Sequence, residues 1–138
     1  MKRHYLIILL LISPVIGISQ NSDTTETKEE IYTIVETMPD FPGGQKAMFE
    51  FLGNNIVYPP KAKAKGKKGK VYINFTISKD GTIRDVRVIK KAHKLLDAEA
   101  VRVVKSMPRW TPGVQRGKAV AVSYNIPINF TFSGKEKK

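Results

Sequence analysis

A chain of 138 residues holds one domain of ordinary size, and 41% apolar content is enough to bury a core. It has no cysteine, which excludes disulfides and lipid attachment through sulfur. Twenty-four Lys and Arg against 12 Asp and Glu leave a formal charge of +12, so an anionic counterpart is the electrostatic default.

The chain opens with Lys2, Arg3 and His4, then a short apolar run from Tyr5 to Ile12 that Pro14 interrupts. Gly17 and Ser19 put small residues at the two positions a signal peptidase inspects, which predicts an export signal over residues 1–19. Cleavage before Gln20 would remove Lys2 and Arg3 and leave a charge of 12 − 2 = +10. The alternative is an uncleaved anchor in the inner membrane, because Val15, Ile16 and Ile18 prolong the apolar stretch. Tyr5 to Ile18 is still short of the roughly 20 residues that span a bilayer. A periplasmic destination sets nucleic acid aside. It leaves anionic lipid, lipopolysaccharide or an acidic protein face as the counterpart.

Residues 20–30, QNSDTTETKEE, carry no large apolar side chain and read as a flexible, solvated leader. Ile31 to Met38 is a β-prone run that ends at Pro39, and DFPGG at 40–44 is turn chemistry. Ala47, Met48, Phe51 and Leu52 then recur at helical spacing, so Gln45 to Leu52 is expected to be a helix ended by Gly53, Asn54 and Asn55. Tyr58-Pro59-Pro60 forces an extended path. Between Lys61 and Lys70, six of ten residues are Lys; crowded like charges and two glycines predict a ragged turn and a mobile basic loop.

Val71, Ile73, Phe75 and Ile77 alternate with Tyr72, Asn74, Thr76 and Ser78, the pattern of a strand with one apolar face. Lys79-Asp80-Gly81 signals a hairpin into a returning strand from Thr82 to Ile89. The apolar parity changes between Ile83 and Val86, which predicts a bulge near Arg84–Asp85. Leu95 to Met107 is expected to be the second helix, capped by Asp97, with Leu96, Ala100, Val103, Val104 and Met107 buried. Pro108 stops it, and RWTPG makes a turn around the sole Trp. Val120 to Phe132 places its even-numbered apolar residues on one face of a long final strand, and Pro127 marks that strand as an edge. Residues 133–138, SGKEKK, read as a disordered basic tail. The predicted class is therefore α+β: two layers, with two helices packed on a small three- to four-stranded antiparallel sheet.

The residue inventory offers no catalytic constellation. Past the signal the chain has a single His, His93, whose place before a helix fits a surface residue, and no partner set for a metal is evident. Asp97 and Glu99 suit a helix start, Asp80 a turn and Asp40 a loop, while Glu36 and Asp85 face solvent from strands. Neither an enzyme nor a cofactor is expected. Asn74-Phe75-Thr76 and Asn129-Phe130-Thr131 match a glycosylation sequon, but inside strands they read as coincidence.

Seven pieces in order carry a resemblance: FPGG at 41–44, Tyr58-Pro59, Gly69-Lys70-Val71, Asp80-Gly81, Leu96-Asp97 with Glu99-Ala100, MPRWTPG at 107–113, and Ile126 to Phe130. Together they resemble the C-terminal domain of TonB, in the version common in Bacteroidetes-type proteins, over residues 31–132. The resemblance implies a periplasmic module that grips the TonB box of outer-membrane transporters by adding it as a strand beside the last long strand. Carried onto this chain, the partner-binding positions are Ser123, Tyr124, Asn125, Ile126, Ile128, Asn129 and Phe130. Asn54, Asn55 and Tyr58 lie in the segment that also approaches the box. The short leader without Pro departs from a full energy transducer, so a free-standing adaptor is expected. If Ile31 to Met38 pairs with the last strand, it would occupy the edge a partner needs. A second reading is a cell-envelope protein that holds anionic lipid or glycolipid through Lys61, Lys63, Lys65, Lys67, Lys68 and Lys70. A homodimer through the same edge is a third.

Overall fold

The computed structural model describes residues 13–15, 17 and 28–131. The signal over 1–19, most of the leader, Phe132 and the tail at 133–138 therefore fall wholly or largely outside the described residues. In chain order the elements are β1 (Ile31–Tyr32), α1 (Gly44–Asn55), α2 (Pro60–Ala64), β2 (Gly69–Ile77), β3 (Ile83–Lys90), α3 (Lys94–Lys105), β4 (Gly113–Gln115) and β5 (Lys118–Phe130). The strands form one sheet in the order β1-β5-β2-β3, with β4 also paired to β5. The α+β class is as expected. The sheet is larger and mixed rather than antiparallel throughout, because β1 runs parallel to β5.

Alternation explains the layers. Val71, Ile73, Phe75 and Ile77 of β2 and Val122, Ile126, Ile128 and Phe130 of β5 are all at most 2% exposed, on the face the helices cover. From α3 come Leu96, Ala100, Val103 and Val104, and from α1 Met48 and Leu52. Each such aliphatic or aromatic side chain contributes about 1.5–3 kcal/mol on burial, which makes this one core the main source of stability. The predicted bulge is present. Asn74 pairs with Arg87 but Thr76 with Arg84, leaving one extra residue on β3 near Asp85, which takes a positive φ of 54°.

Two turns set the helices on the sheet. Phe41-Pro42-Gly43-Gly44 closes through Gly44 N–H to the Phe41 carbonyl (2.7 Å), with Gly43 at φ 86°, ψ 3°. That is a type II turn, whose third residue needs positive φ, and it delivers Phe41 to the core before α1 begins. At the other end the β2–β3 hairpin meets the chain leaving α3. Trp110 N–H donates to the Gly81 carbonyl (2.9 Å), and a Cβ on Gly81 would lie 1.9 Å from the Trp110 carbonyl oxygen. Only glycine fits there.

Three expectations change. Asp97 is not the cap of α3: His93 is, its Nδ1 accepting from Leu95 N–H (3.2 Å), while the Asp97 carboxylate reaches back to Ala92 N–H (2.9 Å). The cap lies four residues earlier than the capping propensity of Asp97 suggested. The basic segment is pinned: α2 ends with Lys67 N–H on the Ala62 carbonyl (2.9 Å) and Gly66 N–H on the Lys63 carbonyl (3.0 Å), a Schellman closure. Ile31 to Met38 is also no continuous strand. Only Ile31 and Tyr32 pair with β5, opposite Ala121 and Val122. The chain then bends, and Thr37 and Asp40 bridge to Val114 and Thr111 instead.

Candidate functional site: the open side of the last strand

The long strand β5 has two differently furnished halves. Lys118 to Val120 pair with β4, Ala121 and Val122 pair with β1, and from Val122 onward β2 lies alongside. From Ser123 to Phe130 the only cross-strand partner among the described residues is β2. The other side of this eight-residue stretch is an open sheet edge.

Proline tells which backbone groups face outward. In an antiparallel ladder the N–H and C=O of one residue point to the same side, and successive residues alternate. Pro127 sits opposite Tyr72 in an unbroken register, and its lack of an N–H is harmless only where the residue turns away from β2. Beyond Ser123, which shares their parity but adjoins the β1 pairing, Asn125, Pro127 and Asn129 face the open side, offering three carbonyls and two N–H groups. Tyr124, Ile126, Ile128 and Phe130 spend theirs on β2.

The side chains around this edge fall on two faces. On the helix-covered face Ile126, Ile128 and Phe130 are 2%, 1% and 1% exposed, so of the predicted binding residues these three offer a partner neither a side chain nor a free backbone group. Tyr124 is half-buried, with its ring 5.2 Å from Trp110 and 5.8 Å from Phe75. Tyr58 lies edge-on to Phe130 at 5.8 Å, and its hydroxyl donates to the Lys67 carbonyl, so it does reach the strand. The structure ties Asn55 elsewhere: its Nδ2 donates to the Phe51 carbonyl (2.7 Å) and its carbonyl accepts from Arg102 (2.8 Å), while Asn54 is exposed at the end of α1.

The opposite face is polar and contains a residue the sequence reading passed over. Asn74 of β2 is 8% exposed. Its Nδ2 donates to Ser123 Oγ (2.8 Å) and Asn125 Oδ1 (2.7 Å), and its Oδ1 accepts from Arg87 Nε (3.2 Å). A satisfied buried amide of this kind orients its partners. It fixes the side chains of Ser123 and Asn125 beside the open backbone. The detectable signal was polar residues at matching parity on two strands; the register needed to unite them was not.

One ion pair holds the α1–α2 connection to α3. Glu99 accepts from Arg102 (2.6 Å) and from Val57 N–H (2.8 Å), and the Arg102 hydrogen bond, with help from that backbone donor, holds its carboxyl below the usual range against the opposing effect of burial. Among the described residues no group of three His, Asp or Glu could hold a metal ion, and no helix is long and apolar enough to cross a membrane.

The fold and this edge define a small α+β domain with a half-exposed terminal strand. Residues 54–132, more than half of the chain, match the family described as the Gram-negative bacterial TonB protein C-terminal. The chain belongs to that family, whose members are not enzymes. It is similar to protein TonB of Pseudomonas aeruginosa, 38% identical over 65 residues, which is 47% of this chain and 19% of that protein. It is also similar to protein TonB of Helicobacter pylori, 31% identical over 75 residues, 54% of this chain and 25% of the relative. The chain thus spans a quarter or less of the curated relatives it matches. Among solved structures, the C-terminal domain of Helicobacter pylori TonB superposes with a TM-score of 0.50 at 24% identity, covering 65% of this chain and 95% of that domain. That likeness bears on the fold alone.

Proposed function

We propose that this domain binds an extended segment of an outer-membrane transporter, its TonB box, by adding it as a strand along Ser123–Phe130. By this reading it serves TonB-dependent transmembrane transport from the periplasm. The observation that carries the reading is the half-paired β5: an eight-residue stretch whose outward backbone groups have no described partner. Net gains of about 0.5–1.5 kcal/mol per backbone hydrogen bond make five such bonds worth a few kcal/mol, so side chains must supply the rest of the affinity. Ser123, Asn125 and Asn129 on one face and Tyr58 on the other are placed to do so. The side chains of Ile126, Ile128 and Phe130 stay in the core.

The test is titration of the ¹⁵N-labelled protein with a synthetic transporter N-terminal peptide. Strand addition predicts hydrogen-exchange protection at the amides of Asn125 and Asn129 and none gained at Ala121 or Val122. Shifts confined to the Lys61–Lys70 segment would reject the reading. Protection that rises with protein concentration in the absence of peptide would point instead to a second copy pairing along the same edge.

A further inference from the structure

We propose that the end of the sheet where β5 finishes is a membrane-facing pole that binds the phosphate headgroups of an anionic bilayer. The inference goes beyond peptide binding and does not rest on it. It begins with a juxtaposition the sequence does not reveal. Six lysines lie between Lys61 and Lys70, and three more, Lys90, Lys91 and Lys94, come some 20 residues later, where β3 passes into α3. The fold brings the two groups together. Tyr72 of β2 pairs with Lys90 of β3, the Lys90 ammonium stands 5.4 Å from the Tyr72 ring, and a Cβ on Gly69 would lie 3.0 Å from that of Ala92.

The charge is concentrated. All nine side chains are exposed, and they account for most of the chain's excess of base over acid. Asp97, whose carboxylate accepts from the Ala92 N–H, brings one negative charge to this end and leaves the nine lysines in large excess, while Glu99 is held by Arg102 and the Val57 N–H. The shape of the patch selects the ligand. The lysines are spread over a helical turn, a loop, a strand end and the start of a helix. A small anion needs convergent donors. A spread of point charges on flexible stems instead suits an extended anionic surface, where each lysine close to headgroups adds about fivefold to partitioning. Backbone anchoring by the Schellman closure of α2 and by the Tyr58 hydroxyl on the Lys67 carbonyl keeps the lysine-bearing turn against the sheet.

The geometry also relates this pole to the strand edge. Gly69 pairs with Phe130, so the open stretch of β5 runs towards the lysines and ends beside them. A domain seated on headgroups through this end would hold its open edge rising from the bilayer surface.

The test is sedimentation of the full chain with vesicles of phosphatidylcholine alone and with phosphatidylglycerol added. Each preparation is compared with a K90Q/K91Q/K94Q variant and with a variant of the six lysines from 61 to 70. Every protein carries the same N-terminal apolar run, so differences isolate the lysines. The expected result is at least a tenfold loss of binding to the anionic vesicles in the triple variant, with equal behaviour on neutral vesicles. Wild-type binding should also fall steeply between low salt and 0.5 M salt. Triple-variant binding equal to wild type would overturn the proposal, as would salt-insensitive binding. Stronger competition by soluble poly-glutamate than by anionic vesicles would overturn it in favour of an acidic protein. Far-UV circular dichroism checks that the variants fold, and the wild-type salt series decides the matter if one does not.

Discussion

The lower and upper halves of β5 belong to one continuous strand but differ in pairing. Lys118 to Val122, a lysine followed by small apolar residues, is paired on its flank by β4 and β1, while Ser123 to Phe130, where apolar residues alternate with Ser, Asn and Pro, is bare on the side away from β2. The difference in pairing comes from the brevity of the neighbours, since β1 has two residues and β4 three. Bends after Tyr32 and the Pro112 that precedes β4 end the pairing before it reaches Ser123. An edge can therefore be kept open by shortening what lies beside it, with no change to the strand itself. The protected half anchors the fold; the bare half is available.

The sharpest way to break this comparison is a pair of proline substitutions one residue apart. Ile128→Pro removes an N–H that the ladder with β2 uses and should cost about 3 kcal/mol or more, enough to unfold the domain in chemical denaturation. Asn129→Pro removes an N–H that faces the open side. It should cost no more than about 1 kcal/mol in stability while lowering transporter-peptide affinity about tenfold by calorimetry. Equal destabilisation by both would show that the outward assignment is wrong. A smaller effect is expected from Asn74→Ala, which leaves Ser123, Asn125 and Arg87 without their common partner. A loss of about 1–2 kcal/mol is predicted, with weaker peptide binding but an intact helical circular dichroism signal.

Smaller still is Glu99→Gln. Because the folded-state carboxyl titrates below its unfolded value, its contribution is present above about pH 4.3 and is lost as the pH falls through the lowered folded value. The variant should be less stable than wild type at pH 7 by no more than about 1 kcal/mol, and the gap should narrow as the pH is lowered through the acid range in parallel urea titrations. Last comes Glu29→Ala, which removes the 2.5 Å contact with Arg84 between two partly exposed side chains. Less than about 0.5 kcal/mol is expected. Peptide affinity should also stay unchanged, because this N-terminal segment pairs at Ala121 and Val122 only. A clear gain in affinity would mean that the segment obstructs the edge after all.

Much of the architecture was legible because it depends on local periodicity. The stripe Leu96, Ala100, Val103, Val104 and the alternation Val71 to Ile77 each match a single period, and the parity slip after Ile83 located a bulge. What escaped depends on tertiary geometry. Elements as short as β1 and β4 carry no period at all. The cap of α3 fell to His93 because helix entry is set by the turn from β3, where the capping propensity of Asp97 has no vote. Asn74 looked like an ordinary outward strand residue until register placed it between Ser123 and Asn125. The same holds for the site: Pro127 announced an edge, but which stretch of that edge stays open follows from where β1 stops.

Trp110 has a practical consequence. It is the sole tryptophan, 3% exposed, its ring packed against Phe41, Phe75 and Tyr124, with no hydrogen-bond partner for its indole N–H among the described residues. Tyr124 in turn belongs to the bare half of β5. The domain thus carries a built-in optical reporter one side chain removed from the edge: emission near the blue limit when folded, and sensitive to any tilt of the Tyr124 ring. Under the proposed strand addition, occupancy of that edge would be read on the unlabelled protein with every edge residue left native.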